Sequence, residues 1–310
     1  MARSLGNKTS RGSVGLDLDG GFIAAVQAAD GQISGAISRE LPADIVRDGE
    51  VVDAEALTTV LREFFRVHEL PKRVRLGVAN QQIVVRQLEL PRIEDQADLA
   101  AAVRFQAAEA IAMPLDEAVL DHQVIGETVS PEGTARLQVV VVAAREAMIA
   151  RLVESVRDAG LRPEGVDLSA FALVRALAGH DDTDETARVY CHLGGVTNLA
   201  IAVGSACYFT RPLSTDWDDE GDSMAPQLAE EIRLSIDYYM AQPDARPAGE
   251  VLLSGPGAAR PGLADELNQL IYLPVSVADP LGGLQQTGLP PEEDPFRHTV
   301  AMGLALGANA

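Results

Sequence analysis

The sequence predicts a duplicated α/β fold whose two halves face each other across a cleft. Three observations predict it. A run of short apolar segments joined by glycine turns opens at Val14 and recurs at Val189. Each copy is followed by alternating helical and extended patterns. The chain has 310 residues, of which 47% are hydrophobic, enough to bury a sizeable core.

In chain order, residues 14–18 form an apolar run that ends in Asp19-Gly20-Gly21. Residues 22–29, the turn Asp30-Gly31 and residues 33–40 complete an antiparallel meander. Asp53 is placed to cap a helix running to Glu69, on which Leu57, Val60, Leu61, Phe64 and Phe65 recur at helical spacing. Residues 74–78 and 83–90 read as strands, and a helix from about Glu94 to Ala110 stops ahead of Pro114. Strands at 118–126 and 135–144 flank the loop Ser130-Pro131-Glu132-Gly133, and a helix at 146–159 is closed by Gly160. A short strand at 166–168 precedes a helix that Ser169 is placed to cap, and the acidic stretch 179–186 marks a boundary. The second copy has strands at 189–193, 197–203 and 207–212 around the turns Gly194-Gly195 and Gly204-Ser205. A long helix at 225–240, a strand at 250–253, a glycine-rich turn, a short helix at 262–270, a strand at 275–277, a proline-rich loop and a final helix follow.

Composition excludes several functions. Forty-six acidic against 25 basic side chains give a net charge of −21, so the surface repels a polyanion and the chain is not expected to bind nucleic acid. The only lysines are Lys8 and Lys72, which leaves almost no ammonium for phosphate or Schiff-base chemistry. Cys191 and Cys207 form no CxxC, and His68, His122, His180, His192 and His298 show no metal-ligand spacing. Residues 1–13 are polar and basic, which predicts no signal peptide, and the densest apolar run, 137–144, is far too short to span a membrane. Two lone cysteines fit a reducing compartment, and a cytoplasmic location is expected.

The glycine turns are the candidate site. The first turn of each half can aim backbone N–H groups at phosphates, and an acidic group at the end of a first strand can hold hydrated Mg²⁺. The first half supplies Asp17 with Asp19, Gly20 and Gly21; the second supplies Gly194 and Gly195 with Thr197. A third turn, Ser254-Gly255-Pro256-Gly257-Ala258, allows the close backbone approach that a purine or ribose needs.

Val14-Gly15-Leu16-Asp17, Leu193-Gly194-Gly195 with Thr197-Asn198-Leu199, and Leu252-Leu253-Ser254-Gly255 with Arg260-Pro261-Gly262-Leu263 resemble the actin-like ATPase superfamily. Further stretches are similar to its PilM-like branch of type IV pilus assembly proteins: residues 48–53, Leu90-Pro91, 102–109, 113–117, 142–145 and 228–233. The resemblance implies a two-lobed actin-like, ribonuclease H-like fold with a small α+β inserted subdomain. The first lobe would take residues 13–88 and 165–185, the insertion 89–164 and the second lobe 186–310, with 1–12 a flexible N-terminus. It implies ATP or ADP with Mg²⁺ as ligand, with Asp17 holding Mg²⁺ through water and Gly20, Gly21, Gly194, Gly195, Thr197, Glu230, Arg233, Gly255 and Gly257 around the nucleotide. It also implies a partner: the cytoplasmic N-terminal tail of a PilN-like single-pass membrane protein, held in a groove of the inserted subdomain. Other proteins of the pilus platform would join them. The chain would then sit at the inner face of the cell membrane through that partner, without inserting into it.

Three departures bear on nucleotide chemistry. Where the family has small hydroxyl residues and then a lysine, this chain has Asp17-Leu18-Asp19-Gly20-Gly21-Phe22, with Ala24 at the lysine position. Asp19 adds a carboxylate facing a triphosphate, and two like charges ~4 Å apart repel by about 4 kcal/mol at an effective dielectric of 20. His192 replaces the Asp expected at the second strand end, and Pro256 removes an N–H from the third turn. Nucleotide binding stays open at this point, while turnover is not expected.

Each feature also has a plainer reading. Asp19-Gly20-Gly21 reads equally as a hairpin turn, and His192 as a half-buried packing residue. Asp216, Asp218, Asp219, Glu220 and Asp222 read as a solvated acidic loop around the only tryptophan, Trp217. Leu99, Val103 and Phe105 are candidate partner contacts whose apolar positions face either the core or a groove, and an acidic rim there would select a basic segment. Two other functions compete with a pilus scaffold. An active ATPase or sugar kinase of the superfamily needs a second cleft Asp. An FtsA-like division protein needs a C-terminal amphipathic helix, and residues 303–310 carry no basic face.

Overall fold

The computed structural model describes residues 13–29, 32–130, 133–178, 186–215, 224–242, 245–279 and 293–307. The expected turn at Asp30-Gly31, the linker at 179–185, the acidic loop with Trp217, the proline-rich loop and the N-terminus lie outside these residues.

The first half runs β1 (Ser13–Leu18), β2 (Phe22–Ala29), β3 (Gln32–Glu40), a hairpin of β4 (Val46–Arg47) and β5 (Glu50–Val51), α1 (Ala54–Val67) and β6 (Arg73–Val78). Then come β7 (Val84–Pro91), α2 (Gln96–Ala110), β8 (Ala118–Val129), β9 (Ala135–Arg145), α3 (Glu146–Asp158), β10 (Arg162–Leu168) and α4 (Ser169–Leu177). The second half runs β11 (Ala187–His192), β12 (Asn198–Val203), β13 (Ala206–Pro212), α5 (Met224–Met240), β14 (Ala248–Ser254), α6 (Leu263–Leu270), β15 (Val275–Val277) and α7 (Thr299–Leu306).

The duplication is visible in the sheets. The first has strand order β10-β6-β1-β2-β3 and the second β13-β12-β11-β14-β15. In each, a three-stranded antiparallel meander is extended by two parallel strands beside its first strand. That placement surrounds β1 and β11 on both edges, which is why both are buried along almost their whole length.

The two halves exchange their last helices. α4 packs Ala170, Leu173 and Val174 against Tyr190, Ala200 and Ala202 of the second sheet. α7 packs Ala301, Met302 and Ala305 against Phe22, Ala24, Val26 and Ala28 of the first. Glycines permit the close approach: a Cβ on Gly15 would overlap the Ala301 carbonyl, and one on Gly303 would overlap that of Ala172. The pair α4 and α7 therefore fixes how the lobes meet.

The third sheet, β7-β9-β8, is antiparallel. Alternation along β9 sends Leu137, Val139, Val141 and Ala143 to one face, where α2 covers them with Leu99, Val103 and Ala107. α2 starts cleanly because Asp95 accepts hydrogen bonds from the N–H groups of Ala97 and Asp98, at 2.9 and 3.0 Å. Asp53 does the same for α1, accepting from Ala56 N–H at 2.9 Å. α3, which a boundary at 164 assigns to the insertion, buries Leu152 and Val156 with Leu57, Leu61 and Phe64 of α1 in the first core.

Two local features differ from expectation. Ser169 does not cap α4: Leu168 stands at that position without a side-chain bond, and Ser169 is the first helical residue, turned toward Gly77. The β4–β5 hairpin was not anticipated. It turns at Asp48 and Gly49, both with positive φ, and Asn80 Nδ2 holds it by donating to the Asp48 carbonyl at 2.7 Å.

Candidate functional site

Of the residues expected around a nucleotide, the cleft between the lobes brings Asp17, Gly194 and Gly195 together with Asp19 and His192. Its head is a cavity of about 40 Å³ lined by Asp17 and Asp19 from the β1–β2 turn, Gly49 from the small hairpin, Gly77, Ser169, and His192 and Asn198 from the second lobe. A cavity of this size holds a few waters, whereas pockets for small molecules run to ~300–1,000 Å³.

The first and second turns touch. Asp19 Oδ1 accepts a hydrogen bond from the backbone N–H of Gly195, and Asp19 Oδ2 lies 3.8 Å from His192 Nε2. His192 Nδ1 is 3.1 Å from Ser254 Oγ, which joins the end of β11 to the end of β14. A Cβ on Gly194 would overlap the Asp19 carboxylate, and one on Gly195 would overlap the Asp19 backbone carbonyl, so Gly195 needs glycine. Asp17 is buried beside this contact, and desolvation first, then the nearby Asp19 carboxylate, push its carboxyl well above the usual carboxylate range.

The remaining predicted residues are distributed as follows. Gly20 has the positive φ that the first turn requires. Thr197 is buried, with no hydrogen-bond partner for its Oγ1. Gly255 also has positive φ, and the N–H of Gly257 is already bonded to the Leu193 carbonyl at 3.0 Å, so the third turn packs on the second. Glu230 and Arg233 pair with each other on the exposed surface of α5 and do not line the cavity. Ala24, at the family's lysine position, is buried against α7.

This arrangement does not fit Mg²⁺·ATP. Two acidic side chains and no Lys or Arg line the cavity, the Gly195 N–H that would meet a phosphate is bonded to Asp19, and the space is several times too small. Among the described residues no group of three or more potential ligands is placed to hold a metal. Sequence reasoning placed Asp19 in the site as a repulsive charge but could not show that it crosses the cleft.

The second region is the groove between the insertion and the first lobe. The face of the inserted sheet away from α2 carries Val140, Val142 and Ala144 of β9 with Val119, Asp121 and Gln123 of β8. It looks across about 370 Å³ at Ile149, Val166, Leu168 and Phe171. Asp167 anchors one end between Arg75 and Arg175, at 4.0 and 3.0 Å. Arg75, Arg175, Asp121 and Asp167 balance in charge, so the expected acidic rim is not a property of this groove. Leu99 and Val103 take no part in it. Their stripe on α2 fills the opposite face of the sheet, leaving them 2% and 0% exposed, while Phe105 points outward at 74%. The residues that do line the groove were legible only as the alternate positions of β8 and β9. A further groove, about 470 Å³, separates the edges of β7 and β13 beside Tyr208, Phe209 and Tyr238.

Comparison with known proteins places this geometry. Residues 17–184 match the profile of the family described as type IV pilus assembly protein PilM. Among solved structures, a chain of the PilM-PilN type IV pilus biogenesis complex superposes with a TM-score of 0.80 at 21% identity, covering 96% of this chain and 98% of that one. MreB5 of Spiroplasma citri, bound to ADP, gives 0.52 at 13% identity, with 95% of each chain covered. The cytoplasmic domain of EpsL, an inner-membrane component of the type II secretion system of Vibrio cholerae, gives 0.51 at 11%, covering 96% and 95%. At these identities the solved structures establish the shared fold, which is the actin-like one.

Proposed function

The chain belongs to the PilM family of type IV pilus assembly proteins, and on that premise we propose that it is a docking scaffold that takes the cytoplasmic tail of a PilN-like membrane protein in the groove beneath its inserted sheet. The observation that carries the reading is the likeness, over nearly the full length of both chains, to a chain solved in a PilM-PilN complex. The groove supports it physically. An apolar floor from Val140, Val142 and Phe171 offers burial to an extended segment, and the Arg75–Asp167–Arg175 cluster at one end offers charged contacts that fix its register. No helix among the described residues is long and apolar enough to cross a membrane. In this reading the partner's membrane span stations the scaffold at the membrane. With a cleft that does not fit Mg²⁺·ATP, the scaffold works without turnover.

The test is fluorescence anisotropy with a labelled synthetic peptide of the partner's cytoplasmic N-terminal segment. Val119 lines the groove and is 44% exposed, so Val119→Glu keeps the fold while placing a charge against the apolar floor. Its affinity drops by roughly tenfold or more, equivalent to about 1.4 kcal/mol. Tyr238→Ala, in the other groove, leaves affinity unchanged. The reverse pattern moves docking to the β7–β13 groove and contradicts the assignment.

A further inference from the structure

We propose that Asp19 is a built-in stand-in for the nucleotide's phosphates: its carboxylate fills the backbone N–H cradle of the second lobe and clasps the two lobes closed. The inference extends the scaffold reading to its cleft and stands on contacts of its own.

The geometry is that of an anion bonded to a backbone N–H of a glycine turn. Asp19 sits on the first lobe's glycine turn, and its Oδ1 accepts from Gly195 N–H on the facing turn of the second lobe. Both Gly194 and Gly195 abut the Asp19 carboxylate closely enough that a Cβ on either would overlap it. A side-chain carboxylate thus reaches the backbone donor that a phosphate oxygen would use in a cleft of this kind. The charge balance agrees. Of the two carboxyls in the cavity, Asp17 is driven toward its neutral form by desolvation and by Asp19. Asp19 lies opposite the Gly195 amide, with its Oδ2 3.8 Å from His192 Nε2, an imidazole nitrogen with no hydrogen-bond partner. A triphosphate would have to displace this contact and accept the Asp19 carboxylate as a neighbour, with no Lys or Arg in the cavity lining to compensate.

The clasp is tested on the full chain by double electron–electron resonance between spin labels at Arg47→Cys in the first lobe and Glu266→Cys in the second, with the buried native cysteines left in place. With Asp19 intact the distance distribution is narrow and unchanged by 5 mM Mg·ATP or pyrophosphate. Asp19→Gly broadens it and moves it to longer distance, and millimolar pyrophosphate narrows it again by refilling the vacated cradle. Asp19→Asn, which keeps the shape and an acceptor oxygen, stays near the parent distribution and guards against general unfolding. A distribution for Asp19→Gly that superposes on the parent's overturns the clasp. Opening that pyrophosphate leaves unchanged, or a parent that responds to Mg·ATP as strongly as the variant, overturns the stand-in. Tail-peptide binding by the parent chain is a separate readout, so failure of the scaffold reading is distinguishable from failure of the clasp.

Discussion

Replacing Leu99 by alanine separates the two faces of α2. Leu99 is 2% exposed and packs with Val103, Ala107, Leu137, Val139 and Val141 between the helix and the inserted sheet. Removing three carbons from a site walled by a helix and by hydrogen-bonded strands leaves a cavity that cannot collapse fully, a loss of about 2–5 kcal/mol. Unfolding entropy near 2.1 cal/mol/K per residue gives about 650 cal/mol/K for 310 residues. A loss of about 3 kcal/mol then lowers the midpoint by about 5 °C if the chain melts in one step, and by more if the inserted unit melts alone. Phe105→Ala, at a site 74% exposed, changes stability by about 0.5 kcal/mol or less. Thermal melts by circular dichroism measure both, and anisotropy at 20 °C shows peptide affinity unchanged in each. A Leu99→Ala chain as stable as the parent, paired with a Phe105→Ala chain that no longer binds peptide, would refute the packing of α2 and restore its stripe as the docking face.

Two more outcomes follow from buried groups. The folded chain keeps a proton on Asp17 at pH values where the unfolded chain has released it, so stability falls as pH rises from the ordinary carboxylate range, about 3.9, to the raised folded value. Asp17→Asn removes that cost: urea midpoints show the variant more stable than the parent at pH 7.5, with the gap closing as pH is lowered toward 4, and a variant less stable at every pH contradicts the assignment. Cys191 and Cys207 are free, and burial pushes both thiols up to about 12. Ellman's reagent at pH 8 therefore finds no reactive thiol in the native chain and two in guanidinium, whereas rapid native labelling would contradict the packing of β11 and β13.

The meanders were legible because their signals are local. Asp19-Gly20-Gly21 and Gly194-Gly195 interrupt apolar runs, and the same order recurs in both halves. Asp53 and the Leu57–Leu61–Phe64 stripe likewise announced α1. α2 was harder to orient. Alanines at 97, 100, 101, 102, 107 and 108 dilute its apolar stripe, and Phe105 stands on the wrong side of it, so periodicity could not say which face meets the sheet. The β4–β5 hairpin carried a usable signal in Asp48-Gly49, but strands of two residues are too short for alternation to reveal. The Asp19–Gly195 contact joins positions 176 apart, and the exchange of α4 and α7 between sheets is equally non-local. Only the folded chain shows that the acid expected to repel phosphate has a partner across the cleft.

The most direct measurement is isothermal titration of the parent chain with the partner's cytoplasmic N-terminal peptide, with and without 1 mM Mg·ATP. A scaffold closed by its own Asp19 gives saturable one-to-one binding with the same Kd in both buffers. Binding that requires Mg·ATP, or no binding in either buffer, contradicts the account.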